Sequence, residues 1–235
     1  MTPTRGIFVT GTDTGVGKTL VAAGLVRVLA ERGHRVAGLK PIASGAEPTR
    51  GGLRNADALA LAAESSVELP YDLTNPYCFG PAVAPHLAAA EAGVRLSLDE
   101  LVGWYGRATA DAEFAIVEGA GGWRVPLHPD GFMSDLPERL GLGVLLVVGL
   151  RLGCLSHARL TLEAILSGNR CPFAGWIGNQ ADAGFERLEA NVATLERLLG
   201  APPLAVIPPL AEPTAGAAAN YILGTHLSNW TGAMP

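Results

Sequence analysis

Six short apolar runs punctuate the chain, at Gly6 to Thr10, Val36 to Lys40, Phe114 to Glu118, Val144 to Gly149, Phe173 to Ile177 and Leu204 to Ile207. Each is nearly continuous in hydrophobicity, the pattern of strands covered on both faces. Between them the apolar positions change to a helical spacing. Val21, Leu25, Val28 and Leu29 share one face after Thr19. Ser97 opens another helix through a capping box to Glu100, with Leu98, Leu101, Val102 and Tyr105 as its stripe. Phe185, Leu188, Val192, Leu195 and Leu199 form one more, stopped by Gly200 and Pro202. Strands alternating with helices predict a three-layer, doubly wound α/β fold, with a mostly parallel sheet, right-handed crossovers and helices on both faces. Such a fold binds its ligands at the carboxyl ends of its strands. Pro41 to Asn55 is the longest irregular stretch and reads as a functional loop, and nothing after Pro213 carries a readable pattern.

Composition narrows the partners. A chain of 235 residues, 49% of them hydrophobic, can bury one large core, and residues 1–235 read as a single domain. A formal net charge of −5 without a Lys/Arg-rich cluster argues against nucleic acid, whose affinity comes from neutralising phosphates. The longest apolar run, Val144 to Leu150, is too short to span a membrane, and the opening MTPTRGIFVTG lacks the apolar centre of a signal peptide. Cys78, Cys154 and Cys171 are odd in number and form no CxxC, so they suggest neither a disulfide framework nor a zinc site and fit a reducing cytoplasm. His34, His86, His128, His157 and His226 are scattered without ligand spacing, and the separation of Cys154 from His157 identifies no nucleophile. Small-molecule ligands are favoured.

The chemistry concentrates at the predicted strand ends. "GTDTGVGKT", residues 11–19, follows the first strand and precedes a helix. Gly11 lies one residue too far from Gly17 for the strict GxxxxGK[ST] loop, but glycine turn, Lys18, Thr19 and helix occur in order. Backbone N–H groups and a helix N-terminus can then hold phosphate, Lys18 can reach the β- and γ-oxygens, and Thr19 can ligate magnesium. The alternative is a plain glycine turn. Glu118 ends "FAIVE" just before "GAGG", where a metal-holding acid belongs in such folds. Asp57 in "RNADALAL" opens a helix, and taken alone reads as an acid complementing the helix dipole. Lys40 in "GLKPIASG" is either a solvated strand end or a second cation beside the phosphate loop, with Ser44 in the loop that follows. "IGNQAD" resembles a guanine-reading NKxD motif with Gln180 in place of lysine; Asn179 either reads a base edge or is a turn asparagine.

Taken in order, "GTDTGVGKT", "GLKPIASG", "LRNADALAL", "NPYCF", "VEGAGGW", "RLGCLSHARLT", "AGWIGN" and "IPPLAE" resemble dethiobiotin synthetases of the P-loop NTPase superfamily, from residue 6 to about 212. The resemblance implies a cytoplasmic ligase of biotin biosynthesis. Its reaction is ATP-dependent closure of 7,8-diaminononanoate and CO2 to a cyclic urea, through a carbamic-phosphoric anhydride, with release of ADP and phosphate. It implies that Lys40 lies beside the carbamate, that Lys18 bridges carbamate and phosphate charge, and that Thr14 and Ser44 contact the diamine. Thr19, Asp57 and Glu118 become Mg2+ ligands, which reverses the reading of Asp57 taken alone. Gly15, Val16, Gly17, Lys18, Thr19 and Leu20, with Glu118, Gly119, Ala120 and Gly121, line the triphosphate. Asn179, Pro208, Pro209, Leu210 and Glu212 surround the adenine nucleoside. A homodimer is implied too, with the segment around "LGCLSH" helping to hold the substrate carboxylate across the interface. Loss of Lys40 is expected to impair turnover more than ATP binding, with little change in stability if its side chain faces an open cleft. The competing class is a nucleotide switch akin to partitioning ATPases or metallochaperone GTPases, for which "NQAD" is the best support.

Overall fold

A computed structural model describes residues 4–128, 131–167, 170–181 and 183–222. The elements run β1 (Arg5–Gly11), α1 (Lys18–Glu31), β2 (Val36–Leu39), β3 (Ile42–Ala43), β4 (Glu47–Thr49), β5 (Gly52–Arg54), α2 (Ala56–Glu64), α3 (Tyr71–Thr74), β6 (Tyr77–Cys78) and α4 (Pro85–Glu91). They continue as α5 (Leu98–Ala108), β7 (Phe114–Glu118), β8 (Pro126–His128), β9 (Gly131–Phe132), α6 (Asp135–Leu140), β10 (Gly143–Gly149), α7 (Cys154–Leu166), β11 (Phe173–Asn179), α8 (Leu188–Leu199), β12 (Ala205–Ile207) and α9 (Ala215–Ile222). His226 and Asp182 lie outside the described residues.

All six predicted apolar runs become strands of one sheet, ordered β12-β11-β10-β1-β7-β2, with every neighbouring pair parallel. The continuous hydrophobicity has a simple cause, since alternate side chains enter different cores. Ile7 and Val9 pack under α1 and α9 with Leu145 and Val147, while Phe8, between them, packs with Trp104, Met133 and Val144 on the opposite face. Leu146 and Val148 continue that second face beneath α7 and α8. A strand buried on both sides has no polar face to alternate with.

The helix signals hold with local amendments. Ser97 Oγ accepts from Glu100 N, but the Glu100 carboxylate accepts from the Tyr77 hydroxyl, so only half of the capping box forms. The helix expected from Phe185 begins at Leu188 and ends at Gly200, whose positive φ of 75° suits a glycine C-cap. Pro41 to Asn55 is less irregular than its composition suggested. It contains β3, which pairs with β6, and the β4–β5 hairpin. After Pro213, Ala215–Ile222 forms α9, whose alanines pack against Gly24 of α1; the absence of a wide apolar stripe concealed it.

Candidate active site

The end of β7 and the ends of the strands on either side of it, β1 and β2, build the site. The chain leaves β1 at Gly11 and enters α1 through Gly17, a left-handed N-cap with φ 93° and no side-chain cap. The first-turn N–H groups of α1 therefore have no capping side chain to satisfy them, the condition under which a helix start takes an anion. A side chain at Gly17 would collide with Asn179 Nδ2, which itself donates to the Val16 carbonyl at 3.0 Å. Lys18 Nζ donates to the Asp13 carbonyl at 2.9 Å. Burial, and then the nearby Lys40 ammonium, lower the Lys18 pKa to about 8.

On the other side, the register of β2 on β7 pairs Leu39 with Val117, so the next residues on each strand, Lys40 and Glu118, leave the sheet side by side. Lys40 is 3% exposed, which rules out the solvated strand end. Its Nζ lies 2.7 Å from Glu118 Oε1, 3.0 Å from Asp57 Oδ2 and 3.2 Å from the Gly119 carbonyl. Burial works against the ammonium, but Glu118 and Asp57 outweigh it and the Lys40 pKa is raised. Burial also resists ionisation of Asp57, and again the pairing wins: the Lys40 ammonium holds its carboxyl below the usual range. Glu118 is buried more completely, and that burial, with Asp57 beside it, pushes its carboxyl up against the pull of Lys40. Thr19 Oγ1 donates to Glu118 Oε1 at 2.9 Å. Glu118 Oε2 is buried without a hydrogen-bond partner among the described residues. Two carboxylates and a hydroxyl thus converge, one oxygen of them unsatisfied, a donor set of the kind hard divalent cations take.

These groups line one cleft of roughly 1030 Å³. It gathers Thr14, Gly15, Gly17, Lys18, Thr19, Leu20, Lys40, Ser44, Asp57, Glu118, Ala120 and Gly121 from the sequence-predicted set. Val16 turns into the core and Gly119 takes part through its carbonyl. Asn179 is buried behind the phosphate loop, with one amide donor committed to Val16. Pro208, Pro209, Leu210 and Glu212 are not among the lining residues; Ala23, Ala60, Ala63, Pro213, Thr214 and Ala215 are. Beyond Ser44, Ala82, Val83, Ala84 and Pro85 give the cleft an apolar wall.

Sequence reasoning missed Asn55, Tyr71 and Asn75, which hold the main chain around Lys40 and Asp57. It also passed over a plain signal. Of the 17 basic residues in the sequence, Lys18 and Lys40 are the only lysines, and both stand in this cleft. The three cysteines are free thiols. No helix among the described residues is long and apolar enough to cross a membrane, and no cluster of three or more His, Cys, Asp or Glu forms among them.

Comparison with known proteins bears on the family and the fold. A family model described as an AAA domain matches residues 5–216. The ATP-dependent dethiobiotin synthetase BioD of Pseudomonas aeruginosa is 51% identical over 216 residues, covering 92% of this chain and 94% of the relative. That of Chromohalobacter salexigens is 51% identical, covering 92% and 96%. Among solved structures, the MinD cell division protein of Aquifex aeolicus superposes with a TM-score of 0.62 at 16% identity, over 98% of this chain and 99% of the other. A ParA family ATPase from Chlorobium tepidum superposes with a TM-score of 0.59 at 14% identity, over 94% and 98%. These two share the fold; at such identities they carry no functional argument.

Proposed function

This chain belongs to the ATP-dependent dethiobiotin synthetase family, and on that premise we propose that its cleft joins 7,8-diaminononanoate to CO2 and closes the cyclic urea of dethiobiotin at the expense of ATP. The observation that carries the reading is the convergence of Lys18 and Lys40 with Thr19, Asp57 and Glu118 at the ends of β1, β2 and β7.

One amine of the substrate captures CO2 as a carbamate. A carbamate is a poor electrophile because its carbon carries an anionic oxygen. Its oxygen attacks the γ-phosphorus of ATP, ADP leaves, and the product is a carbamic-phosphoric anhydride. The second amine then attacks the carbonyl carbon, expels phosphate and completes the ring. No covalent enzyme intermediate is needed. The work of the protein is to place anions and neutralise them. The uncapped start of α1 and Lys18 receive the β- and γ-phosphates. Lys40 faces the carbamate, and Thr14 and Ser44 approach the diamine, whose aliphatic chain runs along Ala82 to Pro85.

Thr19, Asp57 and Glu118 are the Mg2+ ligands in this reading, supported by the unsatisfied Glu118 Oε2 and by an all-oxygen donor set. Magnesium supplies neutralisation of charge on the phosphate oxygens. With the charge of Asp57 and Glu118 compensated in that way, Lys40 would be free to turn its ammonium from them to the carbamate. Asn179 takes its part by holding the phosphate loop. The adenosine lies toward Leu20, Ala60 and Pro213 to Ala215. The chain acts in the cytoplasm as a single domain of a homodimer, the loop before α7 offering its 95% exposed Leu152 to the partner.

The decisive measurement is magnesium-dependent release of phosphate with the diamine, with bicarbonate, with both and with neither. The reading expects release only with both. A nucleotide switch hydrolyses ATP equally in all four, and that result would overturn it.

A further inference from the structure

Among the described residues β2 lies at the edge of the sheet with β7 as its one neighbour there, so the residue that follows it meets no described strand on its outer side. That residue is Lys40, and Pro41 after it brings no N–H. The main chain is nonetheless held on both sides of the Lys40 side chain. Lys40 N donates to the Thr74 carbonyl at 2.9 Å. Asn75 Nδ2 donates to the Lys40 carbonyl at 2.7 Å and to the Tyr77 carbonyl at 3.1 Å, which uses both amide hydrogens. The opposite amide orientation is excluded, because it would set an oxygen against two carbonyls.

Asn75 Oδ1 accepts from the Tyr71 hydroxyl at 3.1 Å. That hydroxyl has one hydrogen, so it meets Asn55 as an acceptor: Asn55 N donates to it at 2.7 Å. Burial pushes the Tyr71 hydroxyl up to about 12, so it keeps its hydrogen throughout the neutral range. Asn55 then reaches two more parts of the cleft. Its Oδ1 caps α2 by accepting from Asp57 N at 3.0 Å and Ala58 N at 3.3 Å, and its Nδ2 donates to the Ser44 carbonyl at 3.2 Å. Both asparagines are buried, so each unmade bond would cost its full desolvation.

We propose that Asn55, Tyr71 and Asn75 are positioning residues for the reaction: a chain of hydrogen bonds that sets Lys40, Ser44 and Asp57 at fixed mutual distance, although none of the three touches a reacting atom. The proposal rests on the roles given above to Lys40 and Asp57. The three reacting-side groups come from a strand end, a loop and a helix that share no secondary-structure hydrogen bond, and Tyr71 is where their supports meet. Misplacement of such groups by about 1 Å is enough to cost roughly a hundredfold in rate.

The test is Tyr71→Phe, which removes the hydroxyl and keeps the ring on which the Arg54 guanidinium stacks at 4.1 Å. Two readouts are taken. The first is kcat and the ATP dissociation constant in the diamine reaction, where kcat falls by roughly tenfold or more while ATP affinity stays near wild type. The second needs no substrate. Because the chain has two lysines, amidination by methyl acetimidate followed by mass spectrometry reports Lys40 and Lys18 separately. Lys40, freed from its fixed place between Asp57 and Glu118, is modified several-fold faster in the variant, with Lys18 unchanged. Unaltered Lys40 labelling in a folded Tyr71→Phe protein overturns the proposal. So does equal acceleration at both lysines with a lowered Tm, which marks general loosening. Asn75→Ser, read the same way, decides the matter if Tyr71→Phe does not fold; failure of both to fold overturns the proposal by making the network a requirement of the fold alone. Absence of diamine-dependent turnover in wild type would count against the proposed function, and the labelling would still decide the network.

Discussion

Lys18 and Lys40 share one cleft and one residue type, yet their surroundings are opposite. Lys18 stands at the start of a helix with one backbone carbonyl as its hydrogen-bond partner among the described residues, and burial draws its pKa down to about 8. Lys40 is buried more deeply but lies between Asp57 and Glu118, and its pKa is raised. The first is a charge without a counter-charge in contact, made to receive an anion. The second is already neutralised by two carboxylates; in the reading proposed above it would take part in chemistry once those carboxylates hold another cation. Desolvation alone would have lowered both; the two carboxylates reverse it at one site only.

The largest expected difference between the two is kinetic. Lys40→Ala should lower kcat for diamine-dependent ADP release by roughly a hundredfold, the usual loss of an electrostatic donor at a reacting centre, while leaving the ATP dissociation constant within a few-fold. Lys18→Ala should weaken ATP binding itself. Glutamine at position 40 should not rescue turnover, because an amide dipole does not replace a full charge. Equal loss of ATP affinity in the two alanine variants would erase the distinction between them.

Stability should separate them in sign. Lys40→Met leaves buried Glu118 without its partner and should lower unfolding free energy by ~3 kcal/mol, some of it recovered because Glu118 can take up a proton. Little change in stability was expected from the sequence if the side chain faced an open cleft. The structure amends this, since the side chain is 4% exposed and paired with an equally buried acid. Lys18→Met removes a poorly compensated buried charge and should raise stability by up to ~1 kcal/mol. Denaturant titration of both variants without nucleotide tests the contrast, and destabilisation of the same size in both would break it.

The smallest effect is a proton. The folded Lys18 pKa of about 8 lies below its ordinary 10.5, so between those values the unfolded chain binds more protons. The cost of holding Lys18 charged is therefore fully present below pH 8 and is relieved as pH rises toward 10.5. Triphosphate beside the ammonium raises the pKa again, so ATP binding at pH 8 should take up about half a proton. Calorimetry in buffers of different ionisation enthalpy measures it. The uptake should vanish in Lys18→Met and persist in Tyr71→Phe.

Much of this was legible beforehand because it is local. Apolar runs of strand length located all six strands of the sheet, and "GTDTGVGKT" located the phosphate loop, since glycine turns and helix starts are decided by neighbours in the chain. α9 was not legible, because a run of alanines packed against Gly24 has small side chains and no marked stripe. Nor was the hydrogen bond from Asn179 to Val16, which spans 163 residues. The roles of Asn55, Tyr71 and Asn75 escaped for a similar reason. Each bonds groups that only the folded chain brings near.

By itself the sequence determined the parallel sheet, the phosphate loop and the residue types available at each strand end, because periodicity and glycine placement act over a few residues. The tertiary structure alone decided which acid meets which lysine. β7 lies between β1 and β2, so Glu118 receives Thr19 from one side and Lys40 from the other, while Asp57 arrives from a helix capped by Asn55. Charge states follow from those distances and from burial. Both depend on strand order, which no stretch of the chain encodes locally.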